Sequence, residues 1–85
     1  YAVLLHMLAQ VSGLKPGELV HVIADAHIYD RHIPMVEELL KREPYPGPTL
    51  SMDTSIQNFY QFTTDSFRLE HYQYHTFSGK IPVAI

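Results

Sequence analysis

The hydrophobic positions of residues 1–15 follow a helical pattern that covers more than one face. Apolar side chains stand at Val3, Leu4, Leu5, Met7, Leu8, Val11 and Leu14. Such a wide apolar surface is typical of a buried helix. Gly13 suits the end of this helix, because glycine adopts the left-handed conformation of a C-terminal cap at little cost. We therefore predict a buried helix, followed by a type II turn at Pro16 and Gly17.

The middle of the chain predicts a strand and then a helix. Residues 18–29, ELVHVIADAHIY, are rich in β-branched side chains and long enough for an extended strand. Pro34 suits the first turn of a helix over residues 34–43, in which Glu37 and Lys41 are spaced to pair on the outer face. These patterns indicate a long strand that leads into an amphipathic helix.

The remaining residues predict short strands after a proline-rich connector. Residues 43–49, EPYPGPT, require an extended, non-helical backbone. Strand patterns occupy residues 49–52 and 66–75, and we interpret residues 53–65 between them as a partly helical link. The end of the chain, from residue 77, has neither helical nor strand periodicity. Together with the preceding elements, this pattern predicts an α+β fold.

Composition narrows the classes of function. The 85 residues are 46% hydrophobic and only 18% charged, so part of the apolar surface is expected to face a partner or further sequence. The chain starts at Tyr1 without a methionine, and we expect the natural chain to begin upstream. A net charge of −3 argues against a basic nucleic-acid surface. No apolar run reaches the ~20 residues of a membrane span, so no membrane partner is expected.

The absence of cysteine limits the chemistry of these residues. Without a thiol there is no disulfide, thiolate metal site or cysteine nucleophile in this sequence, which is compatible with a cytoplasmic location. The six histidines show no recognised metal-ligand spacing, and we expect no metal site. Neither a glycine-rich phosphate loop nor a serine nucleophile motif is present. The residues alone therefore indicate no complete catalytic site.

One stretch carries candidate binding chemistry. Asp25, His27 and Tyr29 alternate within the predicted strand and would share one face. Imidazole and phenol groups together can donate to and accept from a hydroxyl, which suits a sugar oxygen. An ordinary alternative remains, in which Asp25 pairs locally and the two rings are half-buried strand residues with satisfied polar tips.

Several motifs resemble the C-terminal portion of the thymidylate synthase family. GLKPGELVH, DAHIY, REP and a terminal PVAI occur in the family's order and with similar spacing, and the resemblance covers nearly all of the chain. It implies a thymidylate synthase-type α+β fold, of which residues 1–85 form a single partial domain. The elements of that part would be a buried helix, a long strand, an amphipathic helix, short strands and a closing tail at residues 81–85.

The resemblance also implies roles for individual residues. His27 and Tyr29 would hydrogen-bond the deoxyribose 3′-hydroxyl of dUMP. The terminal Val83, Ala84 and Ile85, after Pro82, would close over the folate, 5,10-methylenetetrahydrofolate. The family's cysteine nucleophile would precede Tyr1, so no catalytic residue is expected here and the 85 residues alone should be inactive.

One departure from the family lies beside these residues. Asp30 and Arg31 stand where members often have a neutral pair, so contacts around the sugar could differ.

Three hypotheses for function follow. The first is the C-terminal part of a cytoplasmic, homodimeric thymidylate synthase that methylates dUMP to dTMP. The second is a pyrimidine nucleotide hydroxymethylase of the same fold, which only upstream residues would distinguish. The third is a stand-alone nucleotide-binding or interaction module that has lost the chemistry. In each case an incomplete sheet has unpaired edges, which favours self-association.

Overall fold

The chain forms two compact units, each assembled from segments that are distant in sequence. The computed structural model describes residues 1–77 and 80–81. One unit consists of Tyr1–His21 and Gly47–Tyr72. The other consists of Val22–Pro46 and Gln73–Ile85. Each unit therefore depends on contacts between its own two segments.

Helix α1 spans Ala2–Ser12 and ends at Gly13, as the sequence predicts. Gly13 has a φ of 70° and its N–H donates to the carbonyl of Gln10. The N–H of Leu14 donates to the carbonyl of Ala9 at 2.9 Å. This pair of bonds is a Schellman motif, which satisfies carbonyls that the helix would otherwise leave without partners.

The burial expected for α1 is corrected by the structure. Ala9 is the helix's buried residue, whereas Val3, Leu4 and Leu8 are exposed. The helix packs against a 3₁₀ turn at Phe59–Gln61, which covers only part of its wide apolar surface. The pattern was sufficient to predict the helix, but burial also requires neighbouring elements on every apolar face.

A two-stranded antiparallel sheet completes the first unit. Strands β1 (Thr49–Met52) and β2 (Phe67–Glu70) pair with Leu50 opposite Leu69. Strand β2 is shorter than predicted because His71 has a φ of 60°, which lies outside the β region. Two α-helices and an antiparallel sheet, within the residues that the structure describes, are consistent with the α+β class.

The link between the strands is partly helical, as predicted. It contains the 3₁₀ turn Phe59–Gln61 and a second one at Thr64–Ser66. The side chain of Asn58 accepts a hydrogen bond from the N–H of Tyr60 at 3.1 Å and caps the first turn. A reciprocal capping box between Thr63 and Ser66 closes the second turn and confines the link to a short path.

The second unit is built around helix α2, Ile33–Leu40. Pro34 lies in its first turn, as predicted, and a 3₁₀ turn at Asp30–His32 leads into it. The i, i+4 ion pair of this segment joins Glu38 Oε1 to Arg42 Nη2 at 2.7 Å. It lies one position along from the predicted pair of Glu37 and Lys41.

The structure corrects the long strand predicted over residues 18–29. This stretch is exposed, has no strand partner among the described residues, and turns at Ala24 and Asp25. β-branched side chains favour an extended backbone, but a strand also needs a neighbour for its hydrogen bonds. The type II turn is likewise corrected, because Gly17 lacks the positive φ that this turn requires.

Among the described residues, neither α-helix has the length and apolar content needed to cross a membrane.

Candidate functional site

The ring of His27 is held by a hydrogen bond to the backbone two residues earlier. Its Nδ1 lies 2.9 Å from the backbone oxygen of Asp25. Because a carbonyl oxygen can only accept, Nδ1–H is the donor in this contact. In the tautomer with its proton on Nδ1, Nε2 carries a lone pair that can accept a hydrogen bond from a hydroxyl. The Asp25 carboxylate, 3.6 Å from the same Nδ1, is 94% exposed, so solvent screens its effect on the ring.

Tyr29 lies between two histidine rings. Its ring centroid is 5.4 Å from that of His27 and 5.2 Å from that of His32. This contact places the His27 and Tyr29 rings on the same side of the segment, as the alternate spacing predicts. The 3₁₀ turn has three residues per turn, which brings His32 back over Tyr29, and the His32 N–H donates to the Tyr29 carbonyl at 2.8 Å.

These rings line a small cleft. His27, Tyr29 and His32 share it with the apolar side chains of Ile28 and Val36, and its volume is about 240 Å³. Whole drug-sized ligands occupy pockets of roughly 300–1,000 Å³, so this cleft suits one portion of a ligand. Polar ring atoms beside an apolar wall can bind a hydroxylated group and orient it.

The charged pair at Asp30 and Arg31 also lies next to Tyr29. The two residues line a neighbouring cleft of about 420 Å³ together with Ile28 and Tyr29. Arg31 is exposed, so a phosphate or carboxylate could approach it from solvent. Asp30 and Arg31, which stand where family members often have a neutral pair, therefore lie next to the candidate site.

Sequence reasoning missed His32 as a member of this site. The available signal was the three-residue spacing from Tyr29 to His32 just before Pro34, which is the spacing of a 3₁₀ turn that enters a helix.

The remaining predictions concern the tail and a metal site. The tail residues, Pro82, Val83, Ala84 and Ile85, lie outside the described residues. Within the part of the chain that the structure describes, histidine, aspartate and glutamate side chains form no group of three that could hold a metal ion.

Comparison with known proteins identifies the family. The family model for thymidylate synthase matches residues 1–85. The chain belongs to the thymidylate synthase family. The thymidylate synthase of Clostridium beijerinckii is 48% identical over 87 aligned positions, which cover 100% of this chain and 33% of that protein. The bifunctional dihydrofolate reductase-thymidylate synthase of Plasmodium chabaudi is 39% identical over 75 positions, or 88% of this chain and 13% of that protein.

A solved thymidylate synthase confirms the fold. Thermostable thymidylate synthase A from Bacillus subtilis matches with a TM-score of 0.86 and 35% identity, over 93% of this chain and 29% of that chain. The predicted thymidylate synthase-type α+β fold is therefore confirmed. The chain spans about a third of the length of the Clostridium relative.

Proposed function

We propose that this chain is the C-terminal part of a thymidylate synthase that methylates dUMP to dTMP with 5,10-methylenetetrahydrofolate. The observation that carries the proposal is the family match over residues 1–85, joined to the pairing of His27 with Tyr29 in one cleft. In this proposal the parent enzyme is a cytoplasmic homodimer, and residues 1–85 are a single partial domain of it.

His27 and Tyr29 bind the 3′-hydroxyl of the nucleotide's deoxyribose. With Nδ1–H donating to the Asp25 carbonyl, His27 Nε2 accepts a hydrogen bond from the sugar hydroxyl. The phenol of Tyr29 donates to the same hydroxyl oxygen. Two complementary contacts fix both the position and the direction of the sugar, and so orient the attached pyrimidine.

The terminal residues 81–85 act as a closing tail. The folate supplies the one-carbon unit and the reducing equivalents when it is bound. Val83, Ala84 and Ile85 contact it and exclude water from the reaction. The support for this role is the PVAI ending that the chain shares with the family.

Residues 1–85 on their own are inactive in this proposal. Covalent attack on a pyrimidine ring requires an activated nucleophile, and the sequence contains no cysteine. The chain therefore contributes sugar binding and closure, while the rest of the parent enzyme contributes the nucleophile.

Substitutions at His27 and Tyr29 in the intact enzyme test the proposal. His27→Ala and Tyr29→Phe should each raise the Kd for dUMP about fivefold, because a lost hydrogen bond costs about 1 kcal/mol. Isothermal titration calorimetry would measure the Kd. Tyr60→Phe is the matched control, since Tyr60 is 91% exposed and is not one of the residues that line the cleft. Unchanged affinity in both His27→Ala and Tyr29→Phe would refute the assignment.

A further inference from the structure

The backbone of His32 is placed by contacts that join the 3₁₀ turn to helix α2. Its own N–H donates to the carbonyl of Tyr29 at 2.8 Å. The N–H of the next residue, Ile33, donates to the carbonyl of Asp30. His32 is also the N-cap residue of α2. With the turn on one side and the helix on the other, the backbone of His32 is held in a defined position relative to Tyr29.

The ring of Tyr29 has an imidazole ring beside it on each side. The His32 ring lies 5.2 Å from it between centroids, with the two planes inclined at 47°. The His27 ring lies 5.4 Å from it, with an inclination of 38°. Aromatic pairs are favourable at these separations, and neighbouring rings limit the side-chain rotamers that a tyrosine can adopt. The two histidines therefore restrict the rotation of Tyr29, although 38% of that residue is exposed.

The start of α2 forms part of the cleft wall. His32 and Val36 both line the cleft of about 240 Å³ that also contains Tyr29. The two residues are four positions apart, so their side chains lie on one face of the helix. Side chains carried by a helix hold a site more exactly than side chains carried by a loop. The first turn of α2 therefore supports the ring of Tyr29.

We propose that His32 is a positioning residue for the hydroxyl of Tyr29. In the proposed function this hydroxyl donates to the 3′-hydroxyl of the nucleotide sugar, and a hydrogen bond weakens steeply when its angle departs from linear. By packing against the Tyr29 ring, His32 limits the rotation of that ring and keeps the hydroxyl directed toward the sugar. This role rests on the proposed function of His27 and Tyr29. It predicts that His32 acts through its planar ring.

Replacement of the His32 ring in the intact enzyme tests this role. His32→Leu removes the planar ring and should raise the Kd for dUMP about threefold. This effect should not exceed the rise of about fivefold expected for Tyr29→Phe, because positioning affects only the bond that Tyr29 makes. His32→Phe keeps a planar ring and should have a Kd close to that of the unmodified enzyme. Isothermal titration calorimetry measures each Kd. Equal weakening by both substitutions would assign the effect to the imidazole nitrogens and overturn the positioning role.

A nucleotide without the 3′-hydroxyl shows whether His32 acts through the sugar contact. The probe is 2′,3′-dideoxyuridine 5′-monophosphate, which has no hydroxyl for Tyr29 to bind. Its Kd should be the same for His32→Leu as for the unmodified enzyme, and this result would also show that the variant is folded. An equal loss of affinity for dUMP and for the dideoxy nucleotide would show that His32 does not act through the sugar hydroxyl.

A double variant shows whether the effect passes through Tyr29. His32→Leu added to Tyr29→Phe should not weaken dUMP binding further, because the hydroxyl that His32 positions is already absent. If the two losses are instead additive, His32 contributes independently and the positioning role is wrong.

His21→Leu is the matched control. His21 also contacts a tyrosine ring, with its centroid 5.5 Å from that of Tyr1, but it is not one of the residues that line the cleft. Its loss should leave the Kd for dUMP unchanged. An equal rise in His21→Leu and His32→Leu would overturn the specific role of His32.

Tyr29→Phe shows which proposal fails if His32→Leu has no effect. If Tyr29→Phe weakens dUMP binding and His32→Leu does not, the positioning role is overturned and the sugar contact stands. If neither substitution weakens dUMP binding, the proposed function of Tyr29 fails and the role of His32 fails with it.

Discussion

At the scale of single residues, Asp53 shows how a local turn controls ionisation. Its Oδ1 accepts hydrogen bonds from the Ser55 hydroxyl at 2.6 Å and from the Ser55 N–H at 3.0 Å. The Ser55 hydroxyl, and then its N–H, lower the pKa of Asp53, because both bonds favour the charged carboxylate. The Asp53 backbone oxygen also accepts from Gln10, so this turn is where α1 meets the end of β1.

Replacing Ser55 should raise the pKa of Asp53. A carboxyl group whose pKa is lowered by folding stabilises the folded state above its unfolded pKa, and this contribution is lost as the pH falls through the folded pKa. Ser55→Ala removes the stronger bond, so the pKa of Asp53 should return toward its ordinary value, its contribution to stability should become smaller, and the loss of that contribution should be complete at a higher pH. Carboxyl-carbon NMR titration measures the shift, with Ser51→Ala as the control. An unchanged Asp53 pKa in Ser55→Ala would contradict this explanation.

The candidate site shows what residue patterns can predict. The alternate spacing of His27 and Tyr29 predicted that their side chains share one side, and the two ring centroids lie 5.4 Å apart. His32 joined them through a 3₁₀ turn, a short element with no distinctive composition. Arg42 donates hydrogen bonds to the backbone oxygens of His75 and Thr76, and these contacts depend on tertiary packing, which no local pattern contains.

At the level of secondary-structure elements, predictions were correct where the local sequence itself defines the limits of the element. Helix α1 and strand β1 formed where predicted, since a glycine cap and a proline-rich connector define their limits within the local sequence. Residues 18–29 have the composition of a strand but no partner among the described residues. Strand pairing is a non-local property, so composition alone could not predict whether this stretch would join a sheet.

The end of α1 gives a test of the glycine argument. Gly13→Ala should destabilise the folded protein by about 1 kcal/mol, because alanine is strained at a positive φ. A Cβ at Gly13 would have no heavy atom within 4 Å, so the cost would come from the backbone alone. Urea unfolding of the intact enzyme measures it.

Gly17→Ala is the matched control for that experiment. Gly17 has equally open surroundings but no positive φ, so alanine should be neutral or slightly stabilising there. Equal effects of the two substitutions would show that the conformation of Gly13 does not matter to stability.

At the scale of the whole molecule, apolar side chains remain uncovered. Among the described residues the buried hydrophobic side chains are those of Ala9 and Ile56. By contrast, Val20 is 76% exposed and Val22 is 83% exposed, within a stretch that has no strand partner. Full burial of one such side chain is worth about 1.5–3 kcal/mol. A stretch that exposes valines and has no strand partner among the described residues is also suited to pairing with another chain.

We therefore predict that residues 1–85, prepared alone, self-associate in solution. The exposed stretch around Val20 and Val22 would gain both apolar burial and backbone hydrogen bonds from a second copy. Sedimentation velocity over a range of concentrations should show species larger than the 9.8 kDa monomer. Val20→Lys combined with Val22→Lys should shift the distribution toward the monomer, because charged side chains oppose edge pairing, whereas the same charges at exposed Tyr60 and Gln61 should not. A monomer at every concentration would show that this stretch does not mediate self-association.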